Sequence, residues 1–266
     1  MKVSFDRPYR DDGSGGFFYW QRWELYLIQW LEKNGYDVTY STDVDTHTNG
    51  TRLLNFKGFL SAGHDEYWSQ AMYDNVQVAR DSGVSLAFFG ANAICWQARY
   101  EPSAAGVPNR ILVCYKDASL DPVQGSTTTT LWRDPLLKRP EQTLMGVQFS
   151  DENGSQNYPY VVINSSNWVY QNTGVTDGSS VPGIVGYEWD RYDSNYPSPR
   201  AVAGTWTLLG KSPTITDSDT ADYINSSMYQ ALVRAPHVLR KSGTVRLFTA
   251  AEPTQWPHHS CWPTTL

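Results

Sequence analysis

The stretch Ala62–Trp68, AGHDEYW, sets an imidazole, two carboxyls, a phenol and an indole directly behind the apolar run FKGFLS. His64 and Glu66 are two residues apart, so in an extended chain their side chains fall on the same side. A carboxylate beside an imidazole can bind a metal ion or run acid–base chemistry. The same letters also suit a helix start, with Asp65 as N-cap and Glu66 in the first turn. Glu188 and Asp190, in GYEWD, follow a second apolar segment; they read either as solvated carboxylates or as groups facing a cleft. In FFGANAICW a strand runs through Gly90 into a sharp turn, the shape that presents a nucleophile. The turn residues Ala91 and Asn92 carry neither hydroxyl nor thiol. Cys95, a helical turn further on, reads as a buried structural thiol. No Ser–His–Asp arrangement emerges: His47 sits in a Thr/Asn loop, and His237, His258 and His259 fall in a weakly patterned tail.

These groups need elements to position them. Residues 17–34 read as an amphipathic helix, with Trp20, Trp23, Leu27, Trp30 and Leu31 spaced by threes and fours and Gly35 as the stop. YDVTY (36–40) and FKGFLSAG (56–63) read as strands. Residues 66–82 read as a helix with Trp68, Met72, Val76 and Ala79 on one face, and VSLAFFG (84–90) as a third strand. Apolar strands separated by helices predict a doubly wound, mostly parallel α/β sheet over residues 1–118. In such sheets ligands sit at the carboxyl ends of the strands, where His64, Glu66, Asn92, Glu188 and Asp190 would gather. The Pro-rich stretch from Asp117 to Gly146 is long for a loop and reads as functional or inserted. YVVINSSNWVYQNTG gives a strand and a turn, VPGIVGYEWDRYD another strand, and 200–230 gives mixed signals.

The bulk properties exclude several classes. The chain has 266 residues, a net charge of −6, 14% aromatics and 18% charged residues. That composition excludes disorder and argues against nucleic-acid binding. No apolar run reaches the ~18 residues that span a membrane, and MKVSFDRPY lacks a signal-peptide core. The expected compartment is cytoplasmic, or secreted should further sequence lie upstream. Three cysteines without clustering give no disulfide framework, and sequons fall at Asn49, Asn153, Asn164 and Asn225.

A series of blocks carries a resemblance. VSFDRPY, WLEKNGYDVTYSTDVDTH, GFLSAGHDEYWS, GVSLAFFGANAICWQAR, VCYKDA, TTTTLWRDP, RPEQTLMGVQF, VPGIVGYEWDR and NSSMYQA together resemble the catalytic domain of the N,N-dimethylformamidase large-subunit family. The resemblance implies a flavodoxin-like, class I glutamine amidotransferase-like fold with β-rich insertions, without the amidotransferase cysteine. It implies hydrolysis of a small amide at a mononuclear Fe(III) held by two tyrosinates and a glutamate. Carried onto this chain, Glu66 is the glutamate ligand, Tyr9 and Tyr19 are the tyrosines with Tyr40 as an alternative, and His64 and Glu188 assist the chemistry. A small partner subunit or a homo-oligomer is implied as well. On this reading residues 1–230 form the catalytic domain, with a core over 1–118 and an insertion-rich part over 119–230. Residues 231–266 are an atypical tail, for which a shifted reading frame is one explanation. The competing expectation is a non-catalytic module that binds a carbohydrate or a protein.

Overall fold

The computed structural model describes residues 2–6, 21–154, 156–233 and 246–249, and the structural statements below concern these. A short strand β1 (Lys2–Ser4) is followed by helix α1 (Gln21–Lys33). Gly35 takes φ +76°, and the amide of Tyr36 bonds back to the Leu31 carbonyl. That left-handed stop is one a glycine adopts without strain. The predicted strand 36–40 does not form. Tyr36 and Tyr40 are both exposed, so YDVTY has no buried face to pair a strand against.

Helix α2 (Asp43–Thr48) leads through a 3₁₀ turn to β2 (Gly58–Ser61), and then to β3 (Tyr67–Ser69) and helix α3 (Gln70–Asp81). The sequence reading began this helix at residue 66 with Asp65 as its cap. Instead Ser69 is the cap: its hydroxyl accepts the Met72 amide at 3.2 Å. Tyr67, Trp68 and Ser69 itself pair in parallel with β5 (Trp96–Glu101). The predicted apolar face does hold, with Trp68, Met72, Val76 and Ala79 all buried. Trp68 meets Phe59 edge-on, centroids 6.2 Å apart, and tilts against Phe88 at 6.0 Å.

β4 (Ser85–Phe88) precedes β5, and β6 (Ile111–Val113) follows it. After a short helix α4 (Gln142–Met145) come β7 (Gln148–Glu152), β8 (Tyr158–Val161), β9 (Ser180–Val185) and β10 (Glu188–Arg191). The long strands β11 (Thr207–Ile215) and β12 (Ala221–Gln230) form a hairpin, and β13 (Arg246–Thr249) closes the described chain.

The strands make a five-stranded sheet in the order β11-β12-β13-β4-β2, a four-stranded sheet β1-β6-β5-β3, and the pairs β10-β7 and β8-β9. Pairing is parallel only for β2–β4, β4–β13 and β3–β5. The expected doubly wound, flavodoxin-like, amidotransferase-like sheet is therefore corrected to a mixed, largely antiparallel β fold with few helices. Two physical causes stand out. The strand at 36–40, which would have extended the parallel sheet, is missing. Beyond β6 the strands pair with one another in antiparallel fashion rather than through helical crossovers, and only β13 also takes a parallel partner, β4. β11 carries Pro213 yet alternates exposed and buried residues, because it lies at the end of the sheet order where a missing N–H is tolerated.

The core has two parts. Around α3 cluster Trp68, Met72, Tyr73, Leu86, Phe88, Trp132 and Tyr229, and beneath the antiparallel strands cluster Tyr158, Tyr160, Val185, Trp189 and Ile224. The buried Arg80 bridges α3 to its surroundings through the Thr143 carbonyl (3.0 Å), the Tyr229 hydroxyl (3.3 Å) and Asp81 (2.8 Å). The stretch read as a long loop is pinned to β5, where the Gln97 amide donates to the Ser126 and Thr128 carbonyls and Arg99 grips Asp121. Of the four sequons, Asn153 and Asn225 are buried, so neither side chain is open to a glycosylating enzyme.

Candidate functional site

His64 and Glu66 lie in the loop that leaves β2, and Asn92 lies in the turn that leaves β4. β2 and β4 are parallel neighbours, so both turns emerge at the same sheet edge. Glu188 opens β10 and reaches this edge from the antiparallel half.

His64 stands between two carboxyls. Its Nε2 is 3.1 Å from Glu66 Oε2 and its Nδ1 is 3.5 Å from Glu188 Oε2. The Glu66 and Glu188 side chains are 10% exposed and the imidazole 29%, so the carboxyls are sunk and the ring rims the opening. Asp65 serves the loop instead: it accepts from Ser61 Oγ at 2.5 Å and Trp68 Nε1 at 2.6 Å. This anchors the loop to the core on both sides of His64. Burial raises the Asp65 carboxyl above its ordinary range against those two donors.

Lys116, which the sequence reading passed over, completes the cluster. Its ammonium is 3.2 Å from Glu66 Oε1 and 5.0 Å from the ring centres of both Tyr67 and Trp96. Burial opposes the Glu66 charge. The His64 hydrogen bond and the Lys116 ammonium outweigh it and hold the Glu66 carboxyl below its usual range. Burial also opposes the Lys116 charge, but Tyr67 and Glu66 raise the ammonium above its ordinary value. Burial pushes the Tyr67 phenol up to about 12. The signal that could have found Lys116 is VCYKDA, a lysine set just beyond a strand end after an aromatic residue.

Behind this front lies a second row. Asn92 Nδ2 donates to Glu188 Oε1 at 3.0 Å, and the Asn92 main-chain N–H donates to Asp190 Oδ1 at 2.8 Å. Asp190 and Glu141 are buried, and Arg133 stands 3.5 Å from Glu141. Burial pushes Asp190 up to about 8 and Glu141 up to about 7.

The structure thus brings His64, Glu66 and Glu188 together. Tyr9 and Tyr19 lie outside the described residues, as do His237, His258, His259 and Cys261. Tyr40 is exposed on the surface and bonds Glu32. Cys95 is buried, with its thiol pushed up by burial, as suits a packing residue.

The Glu66 carboxylate is a hard oxygen donor, and phenolate and carboxylate donors together match Fe(III). Among the described residues, no group of three His, Cys, Asp or Glu side chains is arranged to hold a metal ion. The described residues therefore fit the iron through Glu66 alone. Among them, no helix is long and apolar enough to cross a membrane.

Comparison with known proteins adds two findings. Residues 1–258 match the family described as N,N-dimethylformamidase beta subunit-like, C-terminal. The N,N-dimethylformamidase beta subunit of an Alcaligenes species is 30% identical over 101 residues, which is 36% of this chain and 13% of that protein.

Proposed function

Because the chain belongs to the N,N-dimethylformamidase beta subunit-like family, we propose that it hydrolyses the C–N bond of a small linear amide, yielding a carboxylate and an amine. The observation that supports this most is the convergence of Glu66 and Glu188 on the two nitrogens of His64. With Nε2 held by Glu66, the imidazole can take a proton from an attacking water on Nδ1 when the longer, 3.5 Å contact to Glu188 opens. It can return a proton to the departing amine, so that water is consumed and no net proton is lost. Glu188 fixes the ring from one side and serves as the second proton acceptor. Glu66 and Lys116 fix it from the other. The half-sunk position of the ring leaves a face for substrate while the carboxyls stay out of bulk water.

In this reading Tyr9, Tyr19 and Glu66 hold a mononuclear Fe(III). Such an ion, when bound, supplies Lewis acidity toward the amide carbonyl and toward water. The relative's name, beta subunit, makes a companion subunit part of the proposal. The test is iron content and visible absorption of the purified, iron-supplied protein, alongside a screen of small amides. The expected result is about one iron per chain, with a tyrosinate band lost in Tyr9→Phe and Glu66→Ala. Glu188→Gln should lower kcat by ~10²–10⁴ with KM little changed. A folded, iron-supplied protein without iron, band or amide turnover would refute the reading.

One observation favours a second reading, a binding module. A surface cavity of about 460 Å³ is lined by Asn164, Asn167, Trp168, Thr205, Thr207 and Gln230, and Trp168 is 44% exposed. An open indole amid amides and hydroxyls suits a sugar ring. Saturable oligosaccharide binding that Trp168→Ala abolishes, in a protein with no amide turnover, would select this reading.

A further inference from the structure

Glu188 and Asp190 are alternate residues of β10, so they share one face of the strand while Trp189 points to the other. Trp189 goes into the second core cluster, 5.8 Å from Tyr158. The two acids meet a single residue. Glu188 takes the side-chain amide of Asn92 and Asp190 takes its main-chain N–H. Asn92 stands at φ +56°, a left-handed conformation that costs a non-glycine residue energy. It is 3% exposed, so water cannot replace either bond.

We propose that Asp190 is a positioning residue for the site: by gripping the Asn92 main chain it holds the strained turn, and the Asn92 amide then holds Glu188 against His64. The idea rests on the hydrolase reading only for what Glu188 does once it is held.

The arrangement explains why the chain keeps another acid beside Glu188. Among the described residues, Glu188, Glu141 and Arg133 act on Asp190, and Arg133 is already engaged with the Phe149 carbonyl (2.7 Å) and with Glu141. Asp190 Oδ2 has no hydrogen-bond partner among the described residues. An ionised pair of acids on one buried strand face would repel, whereas a neutral Asp190 still accepts the Asn92 N–H through Oδ1. What the grip requires is an acceptor oxygen of this length, not a charge. Asparagine supplies that oxygen and alanine does not.

The experiment compares Asp190→Asn, Asp190→Ala and Asn92→Gly in the full-length chain. Crystal structures and deuterium exchange at residue 92 are read first, then amide hydrolysis. In Asp190→Ala the residue 92 amide should exchange at least ~10-fold faster, with Glu188 displaced from His64. Its kcat should fall by ~10-fold or more with KM within about threefold of wild type. Asp190→Asn should restore protection, geometry and kcat. Asn92→Gly, which accepts the left-handed turn, should keep its amide protected yet lose kcat. It serves as the second variant if Asp190→Ala does not fold.

An unmoved Glu188 and a protected amide in Asp190→Ala would overturn the proposal, and so would an Asp190→Asn protein as impaired as Asp190→Ala. If the wild type hydrolyses no amide, the hydrolase reading fails while exchange and structure still decide whether Asp190 holds the turn.

Discussion

Replacing Glu141 by glutamine should change how stability depends on pH. Glu141 precedes α4 and is fully buried, and no other described residue gives either carboxyl oxygen a hydrogen bond. Its nearest charge is Arg133, 3.5 Å away. Burial dominates and moves the carboxyl from an ordinary 4.5 to about 7. The folded chain therefore holds a proton that the unfolded chain releases. The stabilising effect of the neutral acid is complete below about 4.5, declines as pH rises and is gone above about 7. At about 1.4 kcal/mol for each pH unit, that interval corresponds to about 3 kcal/mol. Asp190, which feels the Glu141 charge, loses its proton over an overlapping range, so removing the charge also eases Asp190. Urea unfolding of wild type and Glu141→Gln at half-unit steps from pH 4 to pH 8 reads the difference, since titrations other than those of Glu141 and Asp190 are common to both and cancel. The glutamine protein should gain on wild type by about 3 kcal/mol across this range. A difference that stays flat with pH, or one that favours wild type at pH 8, would refute the reasoning.

Other outcomes follow from the packing. Trp68→Ala removes a fully buried ring and the donor to Asp65, and should cost about 3–5 kcal/mol in urea unfolding. Gly210→Ala would set a methyl 2.5 Å from the Tyr160 ring. Tyr160 is pinned by Ser226 at 2.5 Å and Tyr170 at 2.7 Å and cannot yield freely, so a loss of about 1–3 kcal/mol is expected by the same assay. Cys95 is 1% exposed with its thiol raised by burial. Iodoacetamide should leave it unmodified in the native protein and alkylate it in urea, as read by peptide mass spectrometry.

The alternation and spacing of single segments were legible in the sequence because they depend on neighbours a few residues apart. The face Trp68, Met72, Val76 and Ala79, the stop at Gly35 and the strands at 58–61 and 85–88 all follow from that local pattern. The blocks that carry the family resemblance were legible for the same reason, and the family match agrees with them. The sequence also marked His64, Glu66, Asn92, Glu188 and Asp190 as polar groups at the ends of apolar runs. It could not say that one ring would stand between two carboxyls.

Pairing was not legible. Whether an apolar run joins a parallel or an antiparallel partner depends on residues far away in the chain. YDVTY has strand-forming letters but no strand partner, while the hairpin of β11 and β12, with Pro213 and mixed letters, pairs from Thr207 to Ile215 apart from a register shift at Leu209. Helix α3 is capped by Ser69, while the Asp65 carboxyl accepts from Trp68 instead. Lys116 reaches Glu66 across 50 residues, and Asn92 reaches Glu188 across 96. The residue types of the site were therefore set by the sequence, because side-chain chemistry is local. Their partnership was decided only by the tertiary structure, because burial and the closing of distant strands bring those groups within hydrogen-bonding reach.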